Sequence, residues 1–175
     1  MALIVKKSKL PGAGKGLFTT APIKKGAKII EYKGEIIDWK AYTQRVKENK
    51  DGYLFFISNK RCIDAWSTPQ HKARYANDAA GLSRVKGLSN NSNYEIVGDK
   101  CFIVSSRDIE KGEEIFVNYT KEYWDCVRFN IKHGYEKRVT DKEVKKSTTK
   151  KKASTTTPAN KTKAKKATKK WAASW

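Results

Sequence analysis

A change in sequence character near residue 137 limits the fold of this chain more than any other feature. Between residues 145 and 170 no aliphatic side chain is larger than alanine, and lysine, threonine, serine and alanine dominate. Such a segment cannot bury enough apolar surface to offset the conformational entropy lost on folding. The sequence therefore predicts one folded domain over residues 1–136 and a disordered, basic tail over residues 137–175.

The distribution of charge follows the same division. The tail holds 14 Lys/Arg and two acidic residues, a net charge of +12, whereas residues 1–136 hold 24 basic and 16 acidic residues, a net charge of +8. A polyanion is the natural partner of such a tail. We expect the tail to bind nucleic acid without sequence preference.

The cysteines and the N-terminus give weaker indications. Cys62, Cys101 and Cys126 lack the spacing of a zinc cluster or a disulfide framework, so we interpret them as small apolar residues in a reducing compartment and predict no metal. The apolar run at residues 2–5 is too short for a signal peptide or a membrane span. We expect a soluble, intracellular protein with no membrane partner.

Short apolar segments separated by turn residues indicate a mainly β domain. Predicted strands cover residues 3–6, 28–32, 34–37, 53–57, 61–64, 94–97, 101–105 and 114–119. Three hairpins are expected, which pair 28–32 with 34–37, 53–57 with 61–64, and 94–97 with 101–105. Helical character is predicted for residues 39–48 and 71–80. Strands and long helices do not alternate, which argues against a Rossmann-type fold.

A glycine-rich loop at residues 12–16 precedes the apolar pair Leu17 and Phe18. It is not a P-loop, because Lys9 stands where the first glycine is needed and Gly16 where Ser or Thr is needed. Taken alone, the loop is more typical of a tight turn than of a ligand cradle.

The order of several motifs resembles that of the SET-domain family of protein-lysine methyltransferases. The motifs are Gly-Lys-Gly-Leu-Phe at 14–18, Ile-Lys-Lys-Gly at 23–26, Glu-Tyr-Lys-Gly-Glu at 31–35, Tyr-Leu-Phe at 53–55, Ile-Asp-Ala at 63–65, Ala-Arg-Tyr-Ala-Asn at 73–77, and Ile-Glu-Lys-Gly-Glu-Glu-Ile at 109–115 running into Tyr119. The resemblance covers about residues 3–124. It implies a SET-domain fold of several small sheets with few short helices, in which the C-terminal segment threads a loop as a pseudoknot.

The resemblance also implies S-adenosylmethionine as cofactor, and roles for particular residues. The residues implied in cofactor binding are Lys15, Gly16, Arg74, Tyr75, Asn77, Asp78 and Trp124. The implied catalytic residue is Tyr119, with Tyr32 and Tyr53 lining the channel that receives the target lysine. The implied substrate channel also includes Val117, Phe102 and Tyr123. Tyr123 and Trp124 would close the site in this small member, which has no zinc-binding segment after the domain.

The residue types suit methyl transfer to an amine. The attacking lysine must be neutral, aligned with the methyl group and kept from bulk water. Aromatic walls provide a rigid channel whose faces attract an ammonium group. The position two residues before Tyr119 commonly holds Phe or Tyr in the family, so Val117 predicts room for more than one methyl group.

Some positions differ from the family pattern. Asp78-Ala79-Ala80 follows Asn77, where the family usually has His-Ser-Cys, and Asn118 replaces the usual Asp before the tyrosine. The usual Pro-Asn is displaced by a longer loop, and Asn93 is the best match for its asparagine.

The sequence thus predicts a lysine methyltransferase that acts on a histone or another basic chromatin protein. Its location would be nuclear or chromatin-associated in a eukaryote, and otherwise intracellular, in the host cell if the chain is viral. Two alternatives stay open. The chain could be a non-catalytic chromatin- or DNA-binding protein with a degenerate SET domain, or its tail alone could condense nucleic acid. Affinity for S-adenosylmethionine separates these possibilities.

Overall fold

The computed structural model describes residues 2–58 and 60–134. The chain divides into two compact units, Met1–Tyr119 and Thr120–Trp175. The first contains strands β1 (Leu3–Lys7), β2 (Lys15–Thr19), β3 (Lys28–Glu31), β4 (Glu35–Ile37), β5 (Leu54–Ser58), β6 (Arg61–Asp64), β7 (Ser92–Val97) and β8 (Lys100–Ser105), helix α1 (Trp39–Lys47) and a 3-10 helix, Lys72–Tyr75. The second contains helix α2 (Lys121–Lys132).

The strands form three small antiparallel sheets. β1 pairs with β2, the order β3-β8-β7 forms a second sheet, and the order β4-β6-β5 forms a third. The mainly β fold class is therefore confirmed. So are the hairpins β5–β6 and β7–β8 and the helix α1, whose first turn is capped by the Asp38 carboxylate accepting from the Ala41 N–H at 2.8 Å.

Three of the sequence-based predictions about secondary structure are wrong, and the first two concern β3, β4 and residues 71–80. β3 and β4 do not form a hairpin, because β3 pairs with β8 and β4 pairs with β6, in different sheets. Only Lys72–Tyr75 of the predicted helix at residues 71–80 is helical, and it is a 3-10 turn. The turn ends at Tyr75, and the backbone is extended from Ala76. This extended backbone allows Asn77 to pair in parallel with Phe116.

Residues 114–118 form isolated bridges with three different partners rather than the continuous last strand predicted for 114–119. Glu114 pairs with Phe18, Phe116 with Asn77 and Val117 with Ser92. Because Asn77 and Ser92 bound one loop, the C-terminal segment runs between the two ends of that loop. This is the arrangement that the implied pseudoknot requires.

Each backbone N–H of this segment donates to a different acceptor. The acceptors, in order from Ile115 to Tyr119, are Leu17 O, Asn91 Oδ1, Asn77 O, Ser92 O and Asp78 Oδ2, at 2.7–3.1 Å. Five successive N–H groups are thus satisfied without one continuous partner strand, two of them by side chains. Ile115 and Val117 of this segment belong to the main buried apolar cluster, together with one or more residues of each sheet, including Leu17, Ile63 and Ile103.

Helix α2 is supported along its surface by charge pairs. The Asp125 carboxylate accepts from Lys121 Nζ at 2.5 Å and from Arg128 Nη2 at 3.3 Å. Lys132 lies in the last turn, where a cation interacts favourably with the helix dipole. Among the described residues, neither helix has the length and apolar character needed to cross a bilayer.

Candidate active site

Four aromatic rings from distant parts of the chain meet in the first unit, and we call Tyr32, Phe55, Tyr94 and Tyr119 the aromatic cluster. The Tyr94 ring lies 4.6 Å from Phe55, 6.0 Å from Tyr32 and 6.1 Å from Tyr119, measured between centroids. Tyr32 and Phe55 are also in contact, at 5.8 Å. Tyr94 therefore links two of the predicted site tyrosines, Tyr32 and Tyr119.

Tyr32 is the most buried member, with 6% of its surface exposed. Its hydroxyl donates to the Tyr53 carbonyl oxygen at 3.1 Å, which connects the backbone of the third predicted tyrosine to the cluster. Burial raises the pKa of the Tyr32 hydroxyl well above its ordinary value, because the phenolate would lose solvation. Tyr32 therefore remains a neutral hydrogen-bond donor over the physiological pH range.

Tyr119 is fixed at two points on the segment that carries Asn77. Its hydroxyl donates to the Ala76 carbonyl oxygen at 2.6 Å, and its backbone N–H donates to Asp78 Oδ2 at 2.8 Å. Both the ring and the main chain of Tyr119 are thus held against residues on either side of Asn77.

Arg74 covers one face of the Tyr53 ring. The guanidinium carbon lies 3.6 Å from the ring centroid, and Nη1 donates to the Trp66 carbonyl oxygen at 2.8 Å. Trp66 in turn contacts the Tyr53 ring at 5.9 Å. The buried Nε of Arg74 has no hydrogen-bond partner within residues 2–58 and 60–134. A cation with an unsatisfied buried donor is a suitable group to receive an anionic ligand.

The glycine-rich loop is tied directly to Asn77. The Asn77 amide donates to the Lys15 carbonyl oxygen at 2.9 Å. The Lys15 ammonium lies 5.4 Å from the centroid of the Tyr75 ring. The structure therefore brings together six predicted site residues around β2 and the 3-10 helix, namely Lys15, Gly16, Arg74, Tyr75, Asn77 and Asp78.

Glu114 is a buried carboxylate beneath this loop, with only 2% of its surface exposed. It accepts from the Ser8 hydroxyl at 2.6 Å, from the Lys9 N–H at 2.7 Å and from the Asn77 amide at 3.4 Å. A Cβ atom at Gly16 would overlap the Glu114 carboxyl group. The absence of a side chain at Gly16 thus allows the loop to close over Glu114.

Of the other residues predicted for the substrate channel, Phe102 lies apart from the aromatic cluster, whereas Val117 belongs to the buried core against which the cluster packs. Phe102 is opposite Glu95 in the β7–β8 pair, whereas Tyr94 is opposite Ile103, so Phe102 and Tyr94 occupy opposite faces of the sheet. The Lys28 ammonium lies 4.9 Å from the Phe102 ring centroid on that outer face. Val117 is fully buried in the main core.

Tyr123 and Trp124 lie in α2, in the second unit, where their rings meet edge to face at 5.0 Å. Their predicted part in closing the site stays a prediction.

Several residues at the site are not predicted from the sequence. Tyr94 and Phe55 lie in segments predicted only as strands, although the alternation of Ser92, Tyr94 and Ile96 could have indicated a ring on the inner face. The asparagine that braces the C-terminal segment is the buried Asn91, whose amide donates to the Glu114 carbonyl oxygen at 2.8 Å. Asn93 is exposed.

The described residues contain no group of three or more His, Cys, Asp or Glu side chains that could hold a metal ion. Burial raises the pKa of the Cys62 and Cys101 thiols to about 12, so both remain protonated. These two cysteines therefore have the character of core residues rather than nucleophiles.

Comparison with known proteins identifies the family. The SET-domain profile matches residues 14–120, more than half of the chain, and the chain belongs to the SET-domain family. Similar proteins include human histone-lysine N-methyltransferase 2D, 34% identical over 120 residues, which are 64% of this chain and 2% of that protein. N-lysine methyltransferase KMT5A-A of Danio rerio is 29% identical over 119 residues, 63% of this chain and 33% of that protein.

The fold is similar to part of the Chaetomium thermophilum polycomb repressive complex 2. The match to a chain of its crystal structure has a TM-score of 0.57 and 28% identity, and covers 69% of this chain and 15% of that chain. This chain therefore corresponds to a minor part of each of these proteins.

Proposed function

We propose that this chain transfers methyl groups from S-adenosylmethionine to lysine side chains of a protein substrate, a histone or another basic chromatin protein. The observation that carries the proposal is the packing of Tyr32 and Tyr119 in one aromatic cluster next to the segment that carries Asn77, with the Tyr53 backbone bonded to the Tyr32 hydroxyl. Membership of the SET-domain family supports the same conclusion, since the similar proteins named above are lysine methyltransferases.

The residues around β2 and the 3-10 helix fit the amino-acid end of such a cofactor. Lys15 and Arg74 are cations close to the Tyr75 ring, and the buried Arg74 Nε can donate to a carboxylate. Asn77 and the Lys15 backbone provide polar groups beside Gly16. When bound, S-adenosylmethionine supplies a methyl group already activated by its sulfonium centre.

The chain's own residues would align the amine and exclude water. Tyr119 would orient the attacking nitrogen, because its ring and its backbone are both fixed. Tyr32 and Tyr53 would form the channel wall. Since Arg74 already covers one face of Tyr53, an ammonium group would meet the other face or the edge of that ring.

Three further roles complete the proposed function. Tyr123 and Trp124 would close the site, as the family resemblance implies, and Val117 would leave room for a methylated amine. The tail would bind nucleic acid and hold the chain at chromatin, in the nucleus if the cell is eukaryotic.

A methyl-transfer assay on the full-length chain tests the function. Core histones are incubated with the chain and radiolabelled S-adenosylmethionine, and mass spectrometry identifies the modified lysines. Cofactor affinity is measured in parallel by calorimetry. Binding with labelled lysine supports the proposal. The absence of both binding and transfer would favour the non-catalytic alternative, in which the domain is a scaffold and the tail contacts DNA.

A further inference from the structure

Asp78 is a buried carboxylate at the start of the loop that the C-terminal segment threads, with 5% of its surface exposed. Its Oδ1 accepts from the Ala80 N–H at 2.7 Å and from the Asn90 amide at 2.8 Å. Its Oδ2 accepts from the Tyr119 N–H at 2.8 Å. One side chain therefore contacts the first turn of the loop, the last turn of the loop and the residue that ends the first unit.

These contacts satisfy the physical requirement for a buried carboxylate. An ionised group away from water needs several donors, and charge-assisted hydrogen bonds are stronger than neutral ones. The Tyr119 N–H is the last of the five N–H groups in the threaded segment, and its acceptor is a carboxylate rather than a carbonyl. The hydrogen bond from the Tyr119 N–H to Asp78 should therefore be the strongest of the five.

The position of Tyr119 follows from two bonds to one short segment. The hydroxyl group donates to Ala76 and the backbone N–H donates to Asp78. Both the tip of the side chain and the main chain of Tyr119 are therefore held by the residues that flank Asn77. If the backbone bond were lost, the ring would keep its hydroxyl bond and its contact with Tyr94, but the main chain of Tyr119 would no longer be held at Asp78. A shift of about 1 Å at a reacting centre can lower a rate by about 10²-fold.

We propose that Asp78 is a positioning residue for Tyr119 and not a ligand of the cofactor. This inference rests on the proposed function for its kinetic consequence, but the hydrogen bond itself can be tested without any activity. Asp78 couples the Asn77 segment to Tyr119, so that cofactor and target lysine meet in one fixed geometry.

Asp78→Asn is the selective variant. The asparagine side chain has only one acceptor oxygen. If this oxygen takes the position of Asp78 Oδ1, it still accepts from both the Ala80 N–H and the Asn90 amide, so this orientation is favoured. The amide NH2 group then faces the Tyr119 N–H, donor against donor. The variant therefore keeps the loop contacts and loses the contact to Tyr119.

Asn90→Ala is the matched control. It removes the Asn90 donor to Asp78 and the acceptor of the Ala79 N–H, but leaves the Tyr119 contact in place. This variant should lower the melting temperature by weakening the loop, while the behaviour of Tyr119 stays unchanged.

The first measurement is amide hydrogen exchange in the full-length chain. The Tyr119 amide should be protected in the wild type and should exchange about tenfold faster or more in Asp78→Asn, because the partly buried N–H loses its acceptor. The Val117 and Asn118 amides serve as internal references for general loosening, and in Asn90→Ala the Tyr119 amide should keep its protection. An unprotected Tyr119 amide in the wild type would overturn the proposal even if the variant fails to fold.

The second measurement separates positioning from cofactor binding. With both substrates saturating, Asp78→Asn should lower kcat by about 10- to 100-fold, while the dissociation constant for S-adenosylmethionine stays close to that of the wild type. Weakened cofactor binding with an unchanged kcat would instead make Asp78 a cofactor ligand. A wild-type chain without methyl transfer would refute the proposed function, whereas the exchange result for Tyr119 would still decide the role of Asp78.

Discussion

Tyr119 makes its ring contact with Tyr94 and its backbone bond to Asp78 independently of its hydroxyl group. Tyr119→Phe therefore keeps the packing and removes only the hydroxyl and its bond to Ala76 O. Removing one preorganised polar group at a transition state lowers the rate by about 10²–10³-fold. We expect a single-turnover rate reduced by that order, with cofactor affinity and melting temperature close to those of the wild type.

A conservative change at another buried tyrosine provides the control. Tyr42→Phe alters a side chain of α1 that packs with Trp39 and Phe56, outside the aromatic cluster, and should leave the rate unchanged. If Tyr119→Phe keeps most of the rate at equal cofactor occupancy, the active site has been assigned to the wrong tyrosine.

The rate of methyl transfer by the wild type should rise with pH towards about 9–10. Free lysine has a pKa of about 10.4, and only the neutral amine attacks.

Val117 is the second residue whose side chain carries a kinetic prediction. We expect the wild type to add more than one methyl group, and Val117→Tyr to shift the product towards monomethyl lysine, because a larger ring would occupy the space of a methylated amine. Val117 is completely buried, so the larger side chain should also lower the free energy of unfolding by about 1–3 kcal/mol. Mass spectrometry of a histone peptide gives the product distribution at a temperature where the variant is folded.

An identical product distribution in wild type and Val117→Tyr would contradict this assignment. Val117→Ile is the control, since it enlarges the side chain without adding a ring. It should leave the distribution close to that of the wild type.

At the scale of elements, the sequence predicts what is local. The hairpins β5–β6 and β7–β8 are predictable because each pair is joined by a short turn, and the pairing partner is the next strand in the chain. The same reasoning fails for β3 and β4, whose short connection resembles a hairpin turn. Gly34 packs so closely on the Asp64 backbone that a Cβ atom would overlap it. The connection between β3 and β4 therefore packs against the end of β6 and does not form a hairpin turn.

The C-terminal segment shows a second limit of the sequence. Its alternation of apolar residues indicates an extended backbone, and residues 114–118 are extended, but alternation carries no information about the acceptors. Those acceptors come from five residues in three separate parts of the chain, and two of the acceptors are the side chains of Asn91 and Asp78. A polar residue in a loop can therefore replace a strand neighbour, and only the folded structure reveals which one does.

Helix α2 is not among the predicted elements, although the sequence contains a signal for it. Lys121, Asp125 and Arg128 have the spacing of charge pairs on one helix face, and Lys132 lies in the last turn. The family resemblance assigns Tyr123 and Trp124 a role in closing the site but does not indicate that they lie in a helix. Charge spacing can thus indicate a helix where apolar periodicity is weak.

The glycine-rich loop provides a prediction at the scale of elements. In Gly16→Ala the added methyl would collide with the Glu114 carboxylate, which three donors hold in place, so Glu114 cannot move without loss of hydrogen bonds. We expect the free energy of unfolding to fall by about 1–3 kcal/mol, together with weaker binding of S-adenosylmethionine. Chemical denaturation and calorimetry measure the two effects.

Gly52→Ala is the matched control for that experiment. Gly52 is exposed, its backbone angle is ordinary, and a methyl group added there would meet no other atom within 4 Å. Both variants lose the same entropy of the unfolded chain, so their difference isolates the steric conflict. Equal stabilities of the two variants would show that Glu114 moves aside without cost.

At the scale of the whole molecule, positive charge is concentrated outside the residues that the structure describes. Residues 135–175 lie beyond the described part of the chain, so the division into a domain over 1–136 and a basic tail over 137–175 stays a prediction from composition. The proposed catalytic residues lie in the first unit. Substrate chemistry and chromatin attachment would thus be carried by different parts of the chain, which makes them separable by experiment.

The tail should bind nucleic acid without sequence preference. Its lysines are separated by small residues and can follow a phosphate backbone, whereas residues 145–170 contain no predicted helix or strand that would place side chains against base edges. On duplex DNA the logarithm of affinity should fall with the logarithm of salt concentration, with a slope of about −0.9 for each phosphate neutralised. Fluorescence anisotropy with two unrelated duplexes should give the same affinity for both.

A charge-removing variant tests whether the tail lysines carry this binding. Replacing Lys150, Lys151 and Lys152 by glutamine in the full-length chain should reduce the salt slope, because three candidate phosphate contacts are removed. Methyl transfer to a short peptide should stay unchanged, since the proposed catalytic residues lie in the first unit. Equal DNA affinity of the full-length chain and of residues 1–136 at low salt would contradict the prediction and assign DNA binding to the folded domain.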